Sequence, residues 1–256
     1  MKGTIALVTG AAGGIGEAVV RLLAERGVTV AAVDLDPDRL ATTVGKLTAD
    51  GHIVHARPAD VTSSPEVERL VDSVERDLGP IDHLVNAAGV LRLAEAHALT
   101  DQDWSATFAV NTNGVFFTSR AVVNRMIPRR RGAVVTVTSN AAGTARDRMA
   151  AYAASKAATT AFTKCLGLEV ARHNIRCNVV APGSTDTPML HGMHADRGAA
   201  AASIAGNPGA HRVGIPLGKI ARPEDIALSV AFLLSDEAGH ITMHSLTVDG
   251  GATLGV

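Results

Sequence analysis

Tyr152 is the sole tyrosine of the chain, and Lys156 follows it by four residues in the run Tyr152-Ala153-Ala154-Ser155-Lys156. On a helix, positions i and i+4 share a face, so this spacing holds an ammonium beside a phenol. A phenol in water titrates near about 10 and is a poor base at neutral pH. A fixed cation nearby favours the phenolate and lowers that value. Thirteen residues upstream of Tyr152, Ser139 closes the apolar run Ala133-Val134-Val135-Thr136-Val137-Thr138, where its hydroxyl could bind the same oxygen. The chemistry these three side chains supply together is removal of a proton from an alcohol. A lone Tyr-x-x-x-Lys is common by chance, so its meaning depends on the elements around it.

The first of these elements is Ile5-Ala6-Leu7-Val8-Thr9, an apolar run of strand length between Gly3 and Gly10. It leads into Thr9-Gly10-Ala11-Ala12-Gly13-Gly14-Ile15-Gly16, and a helical pattern follows with Val19, Val20, Leu22 and Leu23 on its apolar side. Strand, glycine turn, helix is the context of a dinucleotide loop. Glycines let the backbone approach a pyrophosphate, which rests on the helix N-terminus. The site residues of this loop are Gly10, Gly14, Ile15 and Gly16.

The next strand, Val28 to Val33, ends in Asp34, 18 residues beyond Gly16. An acidic side chain there accepts hydrogen bonds from ribose hydroxyls and repels a 2′-phosphate. The glycine loop holds no Arg or Lys to neutralise such a phosphate, so the expected cofactor is NAD. A competing role for Asp34 is to cap the helix after Pro37. His52-Ile53-Val54-His55-Ala56 leads towards Asp60 and Val61, which could contact adenine. Ile81 to Val85 ends in Asn86-Ala87-Ala88-Gly89, whose small residues let the backbone lie close to a cofactor; Asn86 and Gly89 are its candidate contacts. Ligands in open α/β sheets bind outside the carboxyl ends of the strands, and all these motifs fall on that edge.

Strand and helix patterns alternate through all 256 residues without a linker or fixed-period repeat, which predicts one doubly wound α/β domain over 1–256. Strands are expected near 4–9, 28–33, 52–56, 81–86, 133–139, 176–181 and 245–249, all parallel, in the order 3-2-1-4-5-6-7. Hydrophobic residues make up 46% and aromatics only 3%, so Ala, Val, Leu and Ile must build the core, as suits buried parallel strands. The slightly positive mean hydropathy leaves apolar surface for further subunits to cover.

A net charge of −1 gives no footprint for nucleic acid or anionic membrane. Arg129-Arg130-Arg131 reads as a solvated helix-to-strand turn. No apolar stretch reaches membrane-spanning length, no signal peptide fits the N-terminus, and a cytoplasmic location is expected. Cys165 and Cys177 read as buried thiols. His191 and His194 have no matched ligand cluster, so no metal is expected.

Thr9-Gly10-x-x-x-Gly14-x-Gly16, Asn86-Ala-Ala-Gly89, Ser139, Tyr152-x-x-x-Lys156 and Pro182-Gly183 occur in the order and spacing of the short-chain dehydrogenase/reductase family, which the chain resembles throughout. The resemblance implies a single Rossmann-type domain, hydride transfer, and a homotetramer. It implies that Asn111, rather than its neighbour Asn113, is a fourth catalytic residue holding a water in a proton relay through Lys156. It also implies cofactor contacts from Pro182, Gly183 and Thr187, and a substrate lid over about 188–215.

Within that family, Asn86 to Arg92, Arg176 to Thr187, Gly214 to Pro223 and Val248 to Gly255 look like the 2,3-dihydro-2,3-dihydroxybenzoate dehydrogenases. These act in catechol and siderophore biosynthesis. Such a substrate carries a carboxylate, so its pocket should supply a cation. Arg146 is the first candidate, Arg92 the second and Arg148 a third, with Met189 as an apolar contact. Residues 189–213 are Ala-, Gly- and His-rich and depart in composition from those enzymes. Trans-2,3-dihydro-3-hydroxyanthranilate, with an amine for the 2-hydroxyl, therefore stays open as the substrate. Another cyclic alcohol, or a ketone reduced in the opposite direction, also stays open. A catalytically dead NAD-binding regulator would not need Ser139, Tyr152, Lys156 and Asn111 together. A triphosphate-gripping loop would need a lysine this loop lacks.

Overall fold

The computed structural model describes residues 1–193 and 198–255. Seven strands, β1 (Ile5–Thr9), β2 (Thr29–Asp34), β3 (Val54–Pro58), β4 (His83–Asn86), β5 (Gly132–Val137), β6 (Ile175–Pro182) and β7 (Ser245–Val248), form one sheet in the order β3-β2-β1-β4-β5-β6-β7. Every pairing is parallel. The order and direction are those expected from the sequence, and each strand end lies within two residues of its expected place.

The helices are α1 (Gly14–Glu25), α2 (Pro37–Ala49), α3 (Ser64–Asp77), α4 (Asp101–Phe108), α5 (Val115–Arg129), α6 (Ala150–Val170), α7 (Pro188–His191), α8 (Ala199–Ala205) and α9 (Pro223–Leu234). Alternation along β1 assigns the two faces of the sheet. Ala6 and Val8 pack with residues of α1, α2 and α9, whereas Ile5 and Leu7 pack with residues of α3 and α5. Aliphatic side chains without aromatic bulk fill both layers, as the composition requires.

Local chemistry sets the helix starts. Asp36 accepts hydrogen bonds from the backbone N–H groups of Asp38 and Arg39 (both 3.1 Å), and Pro37 occupies the first turn of α2. Asp36, not Asp34, is therefore the cap. Thr100 caps α4 by accepting from Asp103 N (3.0 Å). Helix α1 has no side-chain cap, which leaves its first N–H groups available to a ligand. Between α4 and α5 the helix widens into a π turn over Ala109–Gly114, a local unwinding found mostly at functional sites.

Two expectations about the surface change. Cys177 is buried on β6, but Cys165 is exposed on α6 because it lies on the solvent side of that helix. The Arg129–Arg131 run is paired rather than merely solvated. Arg129 donates to both carboxylate oxygens of Glu75 (2.9 Å each), Arg131 faces Asp82 at 3.4 Å, and Arg130 donates to the Arg172 carbonyl (2.9 Å). Among the described residues no helix is long and apolar enough to cross a membrane.

Candidate active site

The carboxyl ends of β1, β2, β4 and β5 open onto a cleft of about 510 Å³ that runs from Asp34 to Tyr152 and Lys156. Its floor is glycine-built for steric reasons. Gly10 has φ 69°, and a Cβ there would lie 2.7 Å from Ala88 N. A Cβ on Gly16 would overlap the Gly10 carbonyl oxygen. Thr9 Oγ1 accepts from the N–H groups of Ala87 and Ala88 (3.2 Å each), which ties the loop to the turn after β4.

Asp34 accepts from Ala12 N (2.9 Å) and from Asp36 N (3.2 Å), so its carboxylate is held at the cleft wall. Asp60 and Val61 line the same wall, and Asp60 is fixed by bonds from Thr62 N and Oγ1 (2.8 Å each). Arg39 is a residue the sequence reading missed. It reaches from α2 to donate to the Ala12 carbonyl (3.2 Å) and lines the cleft. The loop contains no cation of its own but borrows one from the next helix. The signal was an arginine in the first turn of α2, five residues past Asp34.

Asn86 differs from expectation. Its side chain is buried, donating to Ser119 Oγ (3.0 Å) and accepting from Thr118 Oγ1 (2.6 Å), so it braces β4 against α5 instead of facing the cleft. Ala87, Ala88 and Gly89 present the cleft surface. A Cβ on Gly89 would sit 3.2 Å from Lys156 Nζ and 3.4 Å from Asn111 Oδ1, so the missing side chain makes room for both groups. Asn111 lies in the π turn, fully buried. Its Oδ1 accepts from Val90 N (2.8 Å), and its Nδ2 donates to Val90 O and Ser155 Oγ (3.0 Å each).

Ser139 lies just beyond β5 and accepts from Ala141 N (3.1 Å). Tyr152 stands in the first turn of α6, and the Ser139 hydroxyl faces its phenol closely enough to favour the charged form. Lys156, one turn later, donates to the Val137 carbonyl (3.1 Å) with its Nζ 5.8 Å from the tyrosine ring centroid. Burial pushes the lysine down to about 8. The phenol is pushed upward by burial, and the Ser139 hydrogen bond offsets only part of that. The sequence expectation of a lowered phenol omitted this opposing burial.

A smaller cavity of about 120 Å³ adjoins the cleft, and Tyr152, Ile15, Thr187 and Met189 border both. Ser139, Arg146, Pro182 and Gly183 line the small cavity. Pro182 and Gly183 thus face the annex rather than the main cleft; a Cβ on Gly183 would lie 2.6 Å from Asp249 Cβ. Arg92 faces Asp103 at 3.8 Å on an exposed surface, outside both linings. Arg148 is exposed, with φ 61°, and is likewise not brought to the cavity. His191 contacts Asp186 (2.7 Å), and His194 lies outside the described residues. Among the described residues there is no group of three potential metal ligands.

The main cleft fits a nicotinamide dinucleotide. It offers an uncapped helix N-terminus for pyrophosphate, a fixed carboxylate for ribose, and an opening onto a buried tyrosine.

Comparison with known proteins agrees with this geometry. The sequence pattern of the family described as short chain dehydrogenase matches residues 4–198. A Bacillus subtilis (strain 168) protein named 2,3-dihydro-2,3-dihydroxybenzoate dehydrogenase is 55% identical over 256 residues, covering 100% of this chain and 98% of its own. An Escherichia coli (strain K12) protein of the same name is 41% identical over 248 residues, covering 97% and 96%. Among solved structures, a gluconate 5-dehydrogenase from Burkholderia cenocepacia J2315 in complex with NADP and tartrate aligns with a TM-score of 0.92 at 31% identity, over 100% of this chain and 97% of that one.

Proposed function

The chain belongs to the short-chain dehydrogenase family, and from that premise we propose that it oxidises the C3 hydroxyl of trans-2,3-dihydro-2,3-dihydroxybenzoate to give 2,3-dihydroxybenzoate, with NAD as cofactor. The observation that carries this reading is the junction itself. Ser139 and Tyr152 stand where a dinucleotide cleft meets a small cavity holding the half-buried cation Arg146. A ring carbinol at C3 with a carboxylate at C1 suits that pairing of groups.

When bound, the nicotinamide ring supplies the hydride acceptor. Tyr152 Oη takes the proton of the C3 hydroxyl as the C3–H bond breaks and the C=O bond forms. Ser139, which lines the same cavity as the phenol, orients the same oxygen and stabilises the developing carbonyl. Burial opposes charge on the phenol, so the Lys156 ammonium offsets that cost while the proton passes. Asn111 braces Val90 and Ser155 beside Lys156 and stands where a relay to solvent would begin. Arg146 binds the carboxylate, and Met189 covers the ring. The ketone then tautomerises to the catechol, and aromatisation drives the reaction forward.

The NAD preference rests on Asp34, whose two backbone bonds keep its charge at the ribose end. Arg39 lies nearby as its counterweight. Assembly as a homotetramer in the cytoplasm belongs to the same proposal. Exposed Trp104 and Phe116, and Leu228 and Phe232 on α9, support an apolar interface. Tyr152→Phe tests the chemistry. It should keep cofactor affinity and lose turnover by a factor of about a hundred to ten thousand. Near-normal turnover would remove Tyr152 from the mechanism.

A further inference from the structure

We propose that Arg212, delivered by the turn after α8, joins Arg146 in a two-guanidinium clamp that makes this site selective for a ring carboxylate. The inference rests on the acid-substrate reading above and names the residue that enforces it.

Arg212 and Arg146 line the same small cavity as Ser139 and Tyr152. They come from segments far apart in sequence, and each is only partly exposed. The turn that carries Arg212 is fixed by its backbone. Asn207 and Arg212 exchange two N–H···O bonds of 2.9 Å around the short turn Pro208–Ala210. His211 closes that turn at φ 53°. Gly206 and Gly214, both at positive φ, let the two arms cross; a Cβ on Gly206 would lie 2.5 Å from Gly214 N. The Ile215 N–H bond to Ile204 O (3.0 Å) ties the far arm to α8.

Two guanidiniums beside one small cavity repel. Burial and then the Arg212 charge push the Arg146 pKa down, with Asp249 pulling against them. Asp249 is not free to serve as a close partner. Its carboxylate accepts from Asn140 Nδ2 (3.2 Å), Gly251 N (2.9 Å), Thr253 N (3.0 Å) and Thr253 Oγ1 (2.7 Å). Among the described residues, neither Arg146 nor Arg212 lies within ion-pair distance of a carboxylate. An anionic substrate group supplies that missing partner, and guanidinium forks match a carboxylate in geometry.

The test compares binding of 2,3-dihydroxybenzoate and of catechol, the same ring without the acid, to the NAD-saturated protein by calorimetry. The parent protein should prefer the acid by at least about tenfold. Arg212→Met should weaken the acid by about ten- to a hundredfold and leave catechol within about twofold. Arg212→Lys should restore part of the loss. With the dihydrodiol acid, Arg212→Met should raise KM by a similar factor and leave kcat within about threefold. No acid preference in the parent, equal weakening of both ligands, or a preference that survives Arg212→Met and disappears only in Arg146→Met would each overturn the clamp. The outcome is separable from the reaction itself. If Arg212→Met abolishes acid preference while the dihydrodiol is not oxidised, the clamp stands and the proposed reaction falls. If the dihydrodiol is oxidised and acid preference is untouched, the reverse holds.

Discussion

His83 makes folding stability depend on pH at the end of the sheet remote from the catalytic residues. It is buried on β4, with Nε2 3.1 Å from Thr4 Oγ1 and Nδ1 without a hydrogen-bond partner among the described residues. Burial lowers its pKa from 6.5 to about 4; Asp82 pulls it up, while the N-terminal amine, Arg131 and Arg176 push it further down. The folded state therefore resists a proton that the unfolded chain accepts, so stability is lost as pH falls from about 6.5 towards about 4. At about 1.4 kcal/mol per unit, the full difference is about 3 kcal/mol, of which about 2 kcal/mol has accrued by about pH 5. That is a large part of the roughly 5–15 kcal/mol typical of a domain. Urea unfolding of the cofactor-free protein between about pH 7.5 and 5 measures it, with His83→Gln as the comparison. Carboxylates titrate in both proteins, so the difference in slope isolates the histidine. His83→Gln should start less stable and lose about 2 kcal/mol less on acidification. Parallel pH dependences in the two proteins would refute this account of His83.

Other perturbations probe the cleft. Asp34→Ala should weaken NAD more than NADP, since it removes both a ribose acceptor and the charge that repels a 2′-phosphate; equilibrium titration of both cofactors checks this, and an unchanged ratio would take Asp34 out of the argument. Gly16→Ala should cost cofactor affinity, because the new methyl overlaps the Gly10 carbonyl. Strain of about 1–3 kcal/mol corresponds to a loss of about five- to 150-fold in NAD affinity, readable by the same titration.

Positions fixed by local spacing were legible in the sequence. Strand-length apolar runs alternating with helical patterns located the strands and helices, and the Tyr152–Lys156 interval alone put both groups on one face of α6. Partnerships made across the fold were not legible. Asn86 sits at the expected strand end, yet Thr118 and Ser119 on α5 claim its side chain. Arg39 and Arg212 reach the two cavities from outside any motif, by way of the first turn of α2 and a hairpin after α8. Arg92 follows a cleft-lining turn but points to Asp103 on α4. Burial of Tyr152 is likewise a tertiary property, which is why charge proximity alone suggested a lowered phenol.

Oxidation of a dihydrodiol acid at this site can be followed directly. The direct measurement is the initial rate of NADH formation by the purified protein, with trans-2,3-dihydro-2,3-dihydroxybenzoate and its 2-amino analogue run in parallel. Faster turnover of the diol is the predicted result. Faster turnover of the amine would reassign the substrate to trans-2,3-dihydro-3-hydroxyanthranilate, and activity with neither would contradict the substrate claim while leaving the dehydrogenase fold in place.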